Sequence, residues 1–515
     1  MTDSATGAPA PGRPAVGQPL AVVVVFATSA AVLVLEILAA RLLAPYVGES
    51  LRTYTAIIGV VLAGIAAGSW LGGRWADAVD PRLVLGPVVT GGGLLGLAAL
   101  PLTTAAGSAL AGSGAIGTVL VTGLAFFGPA LLLTAATPLC VALRLQDLAE
   151  TGRVVGRLSA VGTAGALVGT FTTGFVLVAA LPTRVIVVAV AGAMVVLGLG
   201  LTVALSRRGA RRTVALAAVA VALGGVAWVV PTPCDVETEY YCAAVVAETT
   251  DDGRELDVLV LDSLRHSAVD VDDPSYLHFR YTQLFGAVLS TRPAGPLDVV
   301  HVGAGGLSMP RWLDAERPGS ASTVLEIDPA LADLARERLG WTDPPSTRVL
   351  AGDARLTLAD LPAATADAVV GDAFGGLAVP WHLTTLEFLA DVQRVLRPDG
   401  VYVLNVVDYD DLGLARAQTA TLSAAFDHVA VVATPERLAG EGGGNLVLVA
   451  TDASLAPDEI RAAVPAADVG AGSGSGSRET VLTGSGLERW VGDAVVLTDD
   501  YAPVDQLLSP ADLPG

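Results

Sequence analysis

The stretch ARRTVALAAVAVALGGVAWVVPTPCDVETEYYC, residues 210–242, joins an apolar half of the chain to an acidic half. Up to Thr232 the chain carries 13 arginines and 7 acidic residues, whereas the remainder carries 17 arginines and 44 acidic residues. A bilayer excludes charged groups, and water accepts them. The stretch therefore predicts a boundary near residue 232 between a membrane part and a soluble part.

The half before this boundary has the composition of a polytopic α-helical transmembrane bundle. Because roughly 20 apolar residues cross the hydrocarbon core, we expect about seven spans in residues 20–232. Residues 1–19 are rich in Pro, Ala and Gly without a signal-peptide pattern, so we expect a disordered tail there. If the number of spans is wrong, we expect the error in stretch 115–143, because it contains Pro129 and Pro138. The expected spans are 20–40, 54–73, 83–104, 115–143, 158–180, 183–205 and 213–231.

Arginines are unevenly distributed among the loops between these spans. The loops after spans two, four and six hold Arg74, Arg82, Arg144, Arg153, Arg157, Arg207, Arg208, Arg211 and Arg212, whereas the other loops hold Arg41, Arg52 and Arg184. By the positive-inside rule the arginine-rich loops and the N-terminus are cytoplasmic. Seven spans then place the acidic half outside the cell membrane, and one miscounted span would reverse this prediction.

Two cysteines follow the last expected span directly. Cys234 and Cys242 bracket seven residues, so they could close a short loop by a disulfide. A disulfide would place this segment on the oxidising side of the membrane. The alternative is a pair of free buried thiols. The disulfide and the arginine bias both favour an extracytoplasmic soluble half in a multi-pass membrane protein.

The soluble half reads as a small β subdomain followed by a larger α/β domain. Two β-rich runs flank the turn Asp251-Asp252-Gly253, which predicts an antiparallel hairpin subdomain over 233–290. From Leu297 strands and helices alternate, which predicts a Rossmann-like domain over 291–515 with parallel strands. Any ligand is expected at the carboxyl ends of those strands. A Gly-Ser run at 470–477 predicts a flexible loop.

Three consecutive predicted strands end in residues suited to a nucleoside. Glycines after the first strand let a ligand approach the backbone at the start of a helix. Glu326 at the end of the second strand is placed to bridge ribose hydroxyls, and Asp353 after the third to reach an adenine amino group. The alternative is a turn followed by helix-capping acids. The expected cofactor-binding residues are Gly303, Gly305, Gly306, Glu326, Asp328, Asp353 and Ala354.

A fourth predicted strand ends in Gly371-Asp372-Ala373-Phe374, and VPWHLTTLEF follows at 379–388. With these motifs the sequence resembles the spermidine synthase family, and more closely its membrane-fused branch, in which a helical bundle precedes a synthase-like domain. The resemblance spans nearly the whole chain and rests on the motifs in combination. The others are LEILAARLLAPYVG at 35–48, LVLDSLRHS at 259–267, GAGG at 303–306, LEIDP at 325–329, GDA at 352–354 and LTDDYAPVDQLL at 497–508.

The resemblance implies transfer of an aminopropyl group from decarboxylated S-adenosylmethionine to an amine. The sulfonium is the leaving group, so the protein orients the reactants and keeps the amine neutral without a metal. Asp372 then matches the acid that accepts the amine's proton, and Glu326 and Asp353 match the nucleoside-binding acids. Decarboxylated S-adenosylmethionine or S-adenosylmethionine is the expected co-substrate, with no permanently bound cofactor. The expected partners are the lipid bilayer and a small-molecule amine or polyamine, and a homodimer is considered.

Other positions depart from the family pattern. The glycine loop runs Gly-Ala-Gly-Gly-Leu and lacks the family's aspartate, which binds the aminopropyl ammonium group. Gly375 or Gly376 replaces the family's second acid after the catalytic one. The family's Tyr-His-Glu motif corresponds to Tyr281-Thr282-Gln283, and its hairpin glutamine to His266. Each lost charge-assisted contact removes about 1.5–3 kcal/mol. Tyr281, Gln283 and His266 are therefore the expected substrate-binding residues, and replacement charge could come from Asp262, Asp270, Asp272 and Asp273.

Composition and spacing leave three classes of function open. His266 and His382 have no third ligand at a recognisable spacing, so no metal site is expected. The chain has no lysine and 51 acidic residues, which argues against nucleic acid. The first class is a membrane-anchored aminopropyltransferase, and the second is another S-adenosylmethionine-dependent transferase such as a methyltransferase. The third is a non-catalytic extracytoplasmic module that binds a cation or polyamine.

Overall fold

A computed structural model describes residues 17–48, 51–110, 113–145, 150–205, 210–465 and 478–508. The chain divides into two compact units that meet in the sequence between Pro233 and Cys234. The first unit is helical, and the second combines two β-sheets with helices. Residues 466–477, which include the Gly-Ser run, lie outside the described residues, as do Arg207, Arg208 and the side chains of Arg211 and Arg212.

Apolar helices make up the whole described part of the first unit. They are α1 (Gln18–Val47), α2 (Leu51–Ala78), α3 (Pro81–Leu110), α4 (Gly114–Thr122), α5 (Gly128–Arg144), α6 (Thr151–Thr172), α7 (Val178–Ala180), α8 (Thr183–Leu205) and α9 (Ala210–Val229). Single π-helical turns join α4 to α5 and α6 to α7. Within the described residues six helical segments are long and apolar enough to cross a membrane, and the seventh apolar stretch, Thr213–Val229, is shorter.

Two details of the expected spans follow from the structure. The 115–143 stretch, expected as one span, forms one continuous helical segment that includes Pro129 and Pro138. The short member of the series is α9. Helix α1 begins at Gln18, inside the expected tail, because Pro19 occupies one of the first helical positions.

A row of glycines brings α2 against α5. A Cβ atom added at Gly68 would lie 2.2 Å from the carbonyl oxygen of Leu131, and one at Gly72 would lie 2.6 Å from that of Ala135. Small residues at such spacing let helix backbones approach closely in lipid. The pairing therefore depends on the missing side chains.

The second unit opens with a four-stranded antiparallel sheet in the order β1-β2-β3-β4. Its strands are β1 (Val236–Glu237), β2 (Cys242–Thr249), β3 (Glu255–Leu261) and β4 (Leu264–Val269). The expected hairpin is β2 and β3, and its turn includes Gly253 at φ +86°. Helix α10 (Arg280–Ser290) lies in the range assigned to the hairpin subdomain, yet it packs on the large sheet through Phe285 and Val288.

An eight-stranded sheet forms the centre of this unit, in the order β12-β10-β11-β9-β8-β5-β6-β7. Strands β5 to β9 pair in parallel, as expected, but β11 runs antiparallel between β9 and β10. The connection from β10 to β11 is too short for a crossover, so the chain folds back. The strands are β5 (Asp298–Val302), β6 (Ala321–Glu326), β7 (Thr347–Ala351), β8 (Ala366–Gly371), β9 (Leu396–Asp408), β10 (His428–Ala433), β11 (Gly444–Thr451) and β12 (Thr480–Leu482).

Helices cover both faces of the large sheet. They are α11 (Ser308–Glu316), α12 (Pro329–Arg338), α13 (Ala354–Ala359), α14 (Leu386–Val395), α15 (Gly413–Ala425), α16 (Pro435–Leu438), α17 (Pro457–Ala463), α18 (Gly484–Val491) and α19 (Val504–Leu507). Two apolar cores result, one with Phe388 and Leu422 and the other with Phe285 and Leu313. Burial on both faces leaves the carboxyl ends of the strands as the place for polar residues.

Candidate active site

A cavity of about 370 Å³, counting its open mouth, lies where β5 and β8 end. Gly303 follows β5, and Asp372 follows β8, so the parallel pairing of these strands brings the two residues together. The cavity is lined by His266, Ser267, Tyr281, Thr282, His301, Gly303, Ala304, Gly305, Ser308, Met309, Pro310, Val370 and Asp372. Three residues expected from the sequence at the reacting centre, Asp372, Tyr281 and His266, therefore meet in one cavity.

Hydrogen bonds hold the Asp372 carboxylate from both sides. The Tyr281 hydroxyl donates to Oδ2 at 3.0 Å, and the Asn405 amide donates to Oδ1 at 3.0 Å. The side-chain amide of Asn445 donates in turn to the Asn405 oxygen at 3.0 Å. Burial raises the pKa of Asp372 to about 6, although these two hydrogen bonds act in the opposite direction. Such a carboxylate can accept a proton near neutral pH.

The glycine loop fits closely against the segment that carries Asp372. Gly303 has φ +97°, and a Cβ atom there would lie 2.6 Å from the carbonyl oxygen of Asp372. Gly305 has φ +49° and also lines the cavity. Both conformations are disfavoured for residues with side chains, so the loop requires glycine here.

Glu326 supports the same loop from the end of β6. Its Oε2 accepts a hydrogen bond from the Ala304 backbone N–H at 2.7 Å, and its Oε1 accepts one from the Asp328 N–H at 2.9 Å. The side chain is buried, which raises its pKa. Each carboxylate oxygen retains a further lone pair, so contacts to ribose hydroxyls remain a prediction.

The other predicted nucleoside residues occupy helix starts. Asp328 caps α12 by accepting from the Ala330 N–H at 3.0 Å, and Asp353 caps α13 by accepting from the Arg355 N–H at 2.8 Å. Ala354 is the buried first residue of α13. The helix-capping alternative therefore describes a real role of both acids, and their ligand contacts stay predictions.

The substrate-side predictions divide into two groups. Tyr281 and His266 line the cavity, and burial lowers the pKa of His266 to about 4, so its imidazole is neutral at pH 7. Gln283 is not in the lining; it donates to the Leu277 carbonyl at 2.9 Å and accepts from Arg280 at 2.7 Å. The expected substrate role of Gln283 stays a prediction.

Sequence reasoning missed Asn405, which holds Asp372, and the lining residue His301. Asn405 sits within the buried strand β9 and reads there as part of an apolar run. His301 lies within β5, where its Nε2 is 3.1 Å from the Ser322 hydroxyl, and burial lowers its pKa to about 3. The available signal was a polar side chain inside an otherwise apolar strand, since buried polar groups require partners.

Comparisons with known proteins agree with this arrangement. A family model described as "Methyltransferase domain" matches residues 300–404. A polyamine aminopropyltransferase of Vibrio vulnificus is 34% identical over 131 residues, 25% of this chain and 44% of that protein. One of Mycobacterium tuberculosis is 30% identical over 320 residues, 56% of this chain and 58% of that protein. Over these stretches the chain is similar to polyamine aminopropyltransferases.

Among solved structures, a probable spermidine synthase from Corynebacterium glutamicum is 26% identical to this chain. The match covers 53% of this chain and 99% of that one, with a TM-score of 0.47. The two curated matches span about half the length of those relatives.

Two serines lie beside Gly306 of the glycine loop, which contains no aspartate. A Cβ atom at Gly306 would lie 2.7 Å from the Ser267 hydroxyl, and that hydroxyl is hydrogen-bonded to Ser308 at 2.6 Å. The serine pair thus occupies the space that a side chain at 306 needs. Two neutral hydroxyl groups, and no carboxylate of the loop, lie at position 306.

The acids considered as replacement charge do not line the cavity. Asp270 and Asp273 both form ion pairs with Arg254. Asp262 accepts a hydrogen bond from the Cys242 N–H at 3.0 Å. Among the lining residues that the structure describes, Asp372 is the one carboxylate.

Proposed function

We propose that this chain is a membrane-anchored aminopropyltransferase of the membrane-fused spermidine synthase branch. Its donor is decarboxylated S-adenosylmethionine, and its acceptor is a small-molecule amine. The amine nitrogen forms a bond to the propyl carbon beside the sulfonium, the carbon–sulfur bond breaks, and 5′-methylthioadenosine leaves. The proton of the amine passes to Asp372.

The observation that carries this proposal is the state of Asp372. Its carboxylate lies in a cavity beside the glycine loop, is oriented by Tyr281 and Asn405, and has a pKa of about 6. A base with this pKa is largely ionised at pH 7 and accepts a proton readily. The named relatives support the same chemistry and do not favour a methyltransferase.

The residues that line the cavity also indicate which kind of amine can act as the acceptor. Among the described residues that line the cavity, Asp372 carries the one negative charge, and His266 is neutral at pH 7. A second ammonium group at the far end of a diamine would find no carboxylate in this cavity. We therefore propose that the acceptor is a monoamine, whose one nitrogen is the reacting atom.

The test is a transfer assay with the purified full chain in detergent. Decarboxylated S-adenosylmethionine and a monoamine are expected to yield 5′-methylthioadenosine, measured by mass spectrometry, faster than the donor with a diamine. The value of kcat/KM for the amine is expected to rise with pH. In a plot of the logarithm of kcat/KM against pH, the expected slope is one above about pH 6 and two below it. Below that pH Asp372 as well as the amine must lose a proton.

Asn405→Leu provides the matched control for that profile. The lost hydrogen bond lowered the pKa of Asp372, so the steepening is expected to begin at higher pH in the variant. An unchanged break point in Asn405→Leu would assign the titration to another group. Failure to form 5′-methylthioadenosine with any amine would contradict the proposed function.

The side of the membrane on which the soluble part lies decides between this proposal and a second candidate function. The Cys234–Cys242 disulfide is formed in the structure, and disulfides persist in oxidising compartments. The arginine bias supports the same side if α9 completes a seventh span. With six spans the soluble part would instead lie in the cytoplasm.

Cysteine labelling decides between these two arrangements. Ser454 is exposed in the loop after β11, so Ser454→Cys in a Cys140→Ser background provides one reactive thiol. Labelling of this variant in intact cells by a membrane-impermeant maleimide would place the soluble part outside the cell and favour the second candidate function. Labelling that requires lysis would place the soluble part in the cytoplasm, and the Cys140→Ser parent controls for other thiols.

The disulfide also supports a second candidate function. S-adenosylmethionine-type donors are cytoplasmic, so a soluble part outside the cell would not meet one. The cavity would then bind an organic cation next to Asp372 without transferring a group. Binding of a monoamine by a chain that binds no nucleoside would favour this candidate.

A further inference from the structure

The segment Cys234–Cys242, here called the strap, is closed on itself and fastened to the rest of the unit. A disulfide joins its two ends. Asp235 accepts from the Val245 N–H at 2.8 Å and lies 3.4 Å from Arg338 of α12. Inside the strap the Thr238 hydroxyl oxygen accepts from two consecutive backbone N–H groups, at 3.1 and 2.8 Å. These contacts fix the two tyrosines that precede Cys242.

The second of these tyrosines reaches the cavity wall. The Tyr241 hydroxyl donates to the carbonyl oxygen of Phe374 at 3.3 Å, two residues after Asp372. Its ring centroid lies 6.4 Å from that of His266, which lines the cavity. Tyr241 and Ala304 of the glycine loop both pack against the apolar cluster that contains Leu307. The strap therefore contacts the loop after Asp372 and shares an apolar cluster with the glycine loop.

The first tyrosine, Tyr240, is 39% exposed. Its ring centroid lies 6.3 Å from that of Tyr241. Partial burial raises the pKa of Tyr240, and four nearby carboxylates raise it further: Glu239, Asp328, Asp353 and Glu326. Three of these four are the acids predicted to hold a nucleoside, so the tyrosine borders the same site.

We propose that Tyr240 contacts a bound adenosine-type nucleoside and that the Cys234–Cys242 disulfide holds it in place for that contact. An aromatic ring at the mouth of such a site supplies a flat apolar surface for a base. A closed loop presents the ring with little loss of entropy on binding. This proposal takes only its ligand class, an adenosine-type nucleoside, from the proposed function.

The disulfide makes this contact sensitive to reduction. A dithiol reductant breaks the sulfur–sulfur bond, passes one hydrogen to each Sγ of Cys234 and Cys242, and closes into its own disulfide. The strap then loses the link between its ends, although the hydrogen bonds of Thr238 and Asp235 remain. We expect Tyr240 to become mobile and nucleoside affinity to fall.

Calorimetry with 5′-methylthioadenosine on the full chain in detergent tests the proposal. Tyr240→Ala is expected to weaken binding roughly tenfold, and Tyr240→Phe to restore most of it. Cys234→Ser, or dithiol treatment of the wild type, is expected to produce a similar loss. In Tyr240→Ala the further loss on reduction is expected to vanish, because the disulfide acts through the tyrosine. Val246→Ala, an exposed position on β2, and Cys140→Ser are the controls.

Each outcome separates the strap from the proposed function. Additive losses in the reduced Tyr240→Ala chain, or unchanged affinity after reduction verified by thiol labelling, would overturn the role of the disulfide. Wild-type affinity in Tyr240→Ala would overturn the contact itself. Nucleoside binding with these losses but without amine transfer would uphold the strap and contradict the proposed function. Absence of nucleoside binding by the oxidised wild type would overturn both.

Discussion

Asp372→Asn is expected to lower amine transfer by roughly a hundredfold to ten-thousandfold, the usual contribution of a positioned proton acceptor. The carboxamide has nearly the same shape as the carboxylate but cannot accept the proton of the amine. The Asn405 amide can still donate to the remaining oxygen, and the Tyr281 hydroxyl can rotate to accept from the new amide N–H, so the fold is expected to survive. Transfer is measured as 5′-methylthioadenosine formed per minute, and folding by thermal unfolding.

The matched control is Asp411→Asn, which removes an exposed carboxylate outside the cavity. It is expected to retain wild-type turnover. Nucleoside affinity is expected to remain within about twofold in both variants, since proton transfer is a property of the transition state. Unchanged turnover in Asp372→Asn would remove the catalytic assignment.

Glu326→Ala is expected to weaken nucleoside binding by more than tenfold and to lower the melting temperature. The substitution leaves the Ala304 and Asp328 N–H groups without their acceptor, at a cost of about 1–3 kcal/mol for each buried group left unsatisfied. The glycine loop thus loses its support, and the predicted ribose contact is lost with it. Calorimetry with 5′-methylthioadenosine measures the first effect, and thermal unfolding the second.

Glu326→Gln is the matched variant for this prediction. Its amide oxygen can accept one of the two backbone hydrogen bonds, so an intermediate affinity and melting temperature are expected. Wild-type affinity in Glu326→Ala, together with a lowered melting temperature, would limit Glu326 to a structural role.

The strand-end residues were predictable because one rule governs them all. The carboxyl ends of parallel strands lie along one edge of a sheet, so Gly303, Glu326, Asp353 and Asp372 had to lie along the same edge if β5 to β8 were parallel. The structure confirms that geometry. Their spacing in the sequence carried the information, since each follows a short apolar run directly.

Asn405 and β11 could not be predicted in the same way. The position of Asn405 beside Asp372 depends on the register of β9 on β8, in which Leu404 pairs with Gly371. The insertion of β11 between β9 and β10 depends on a fold-back whose partner strands are far apart in the sequence. Local patterns identify strands, but they do not specify the order in which strands pair.

The hydrogen bond from Asn445 to Asn405 has a consequence for synthesis of the chain. Asn445 lies on β11, 40 residues after Asn405. A ribosome that has released the glycine loop, Glu326 and Asp372 has therefore not yet supplied the strand that completes the support of the carboxylate. Truncated chains that end before β11 keep Tyr281 and Asn405 but lack the group that holds the Asn405 amide.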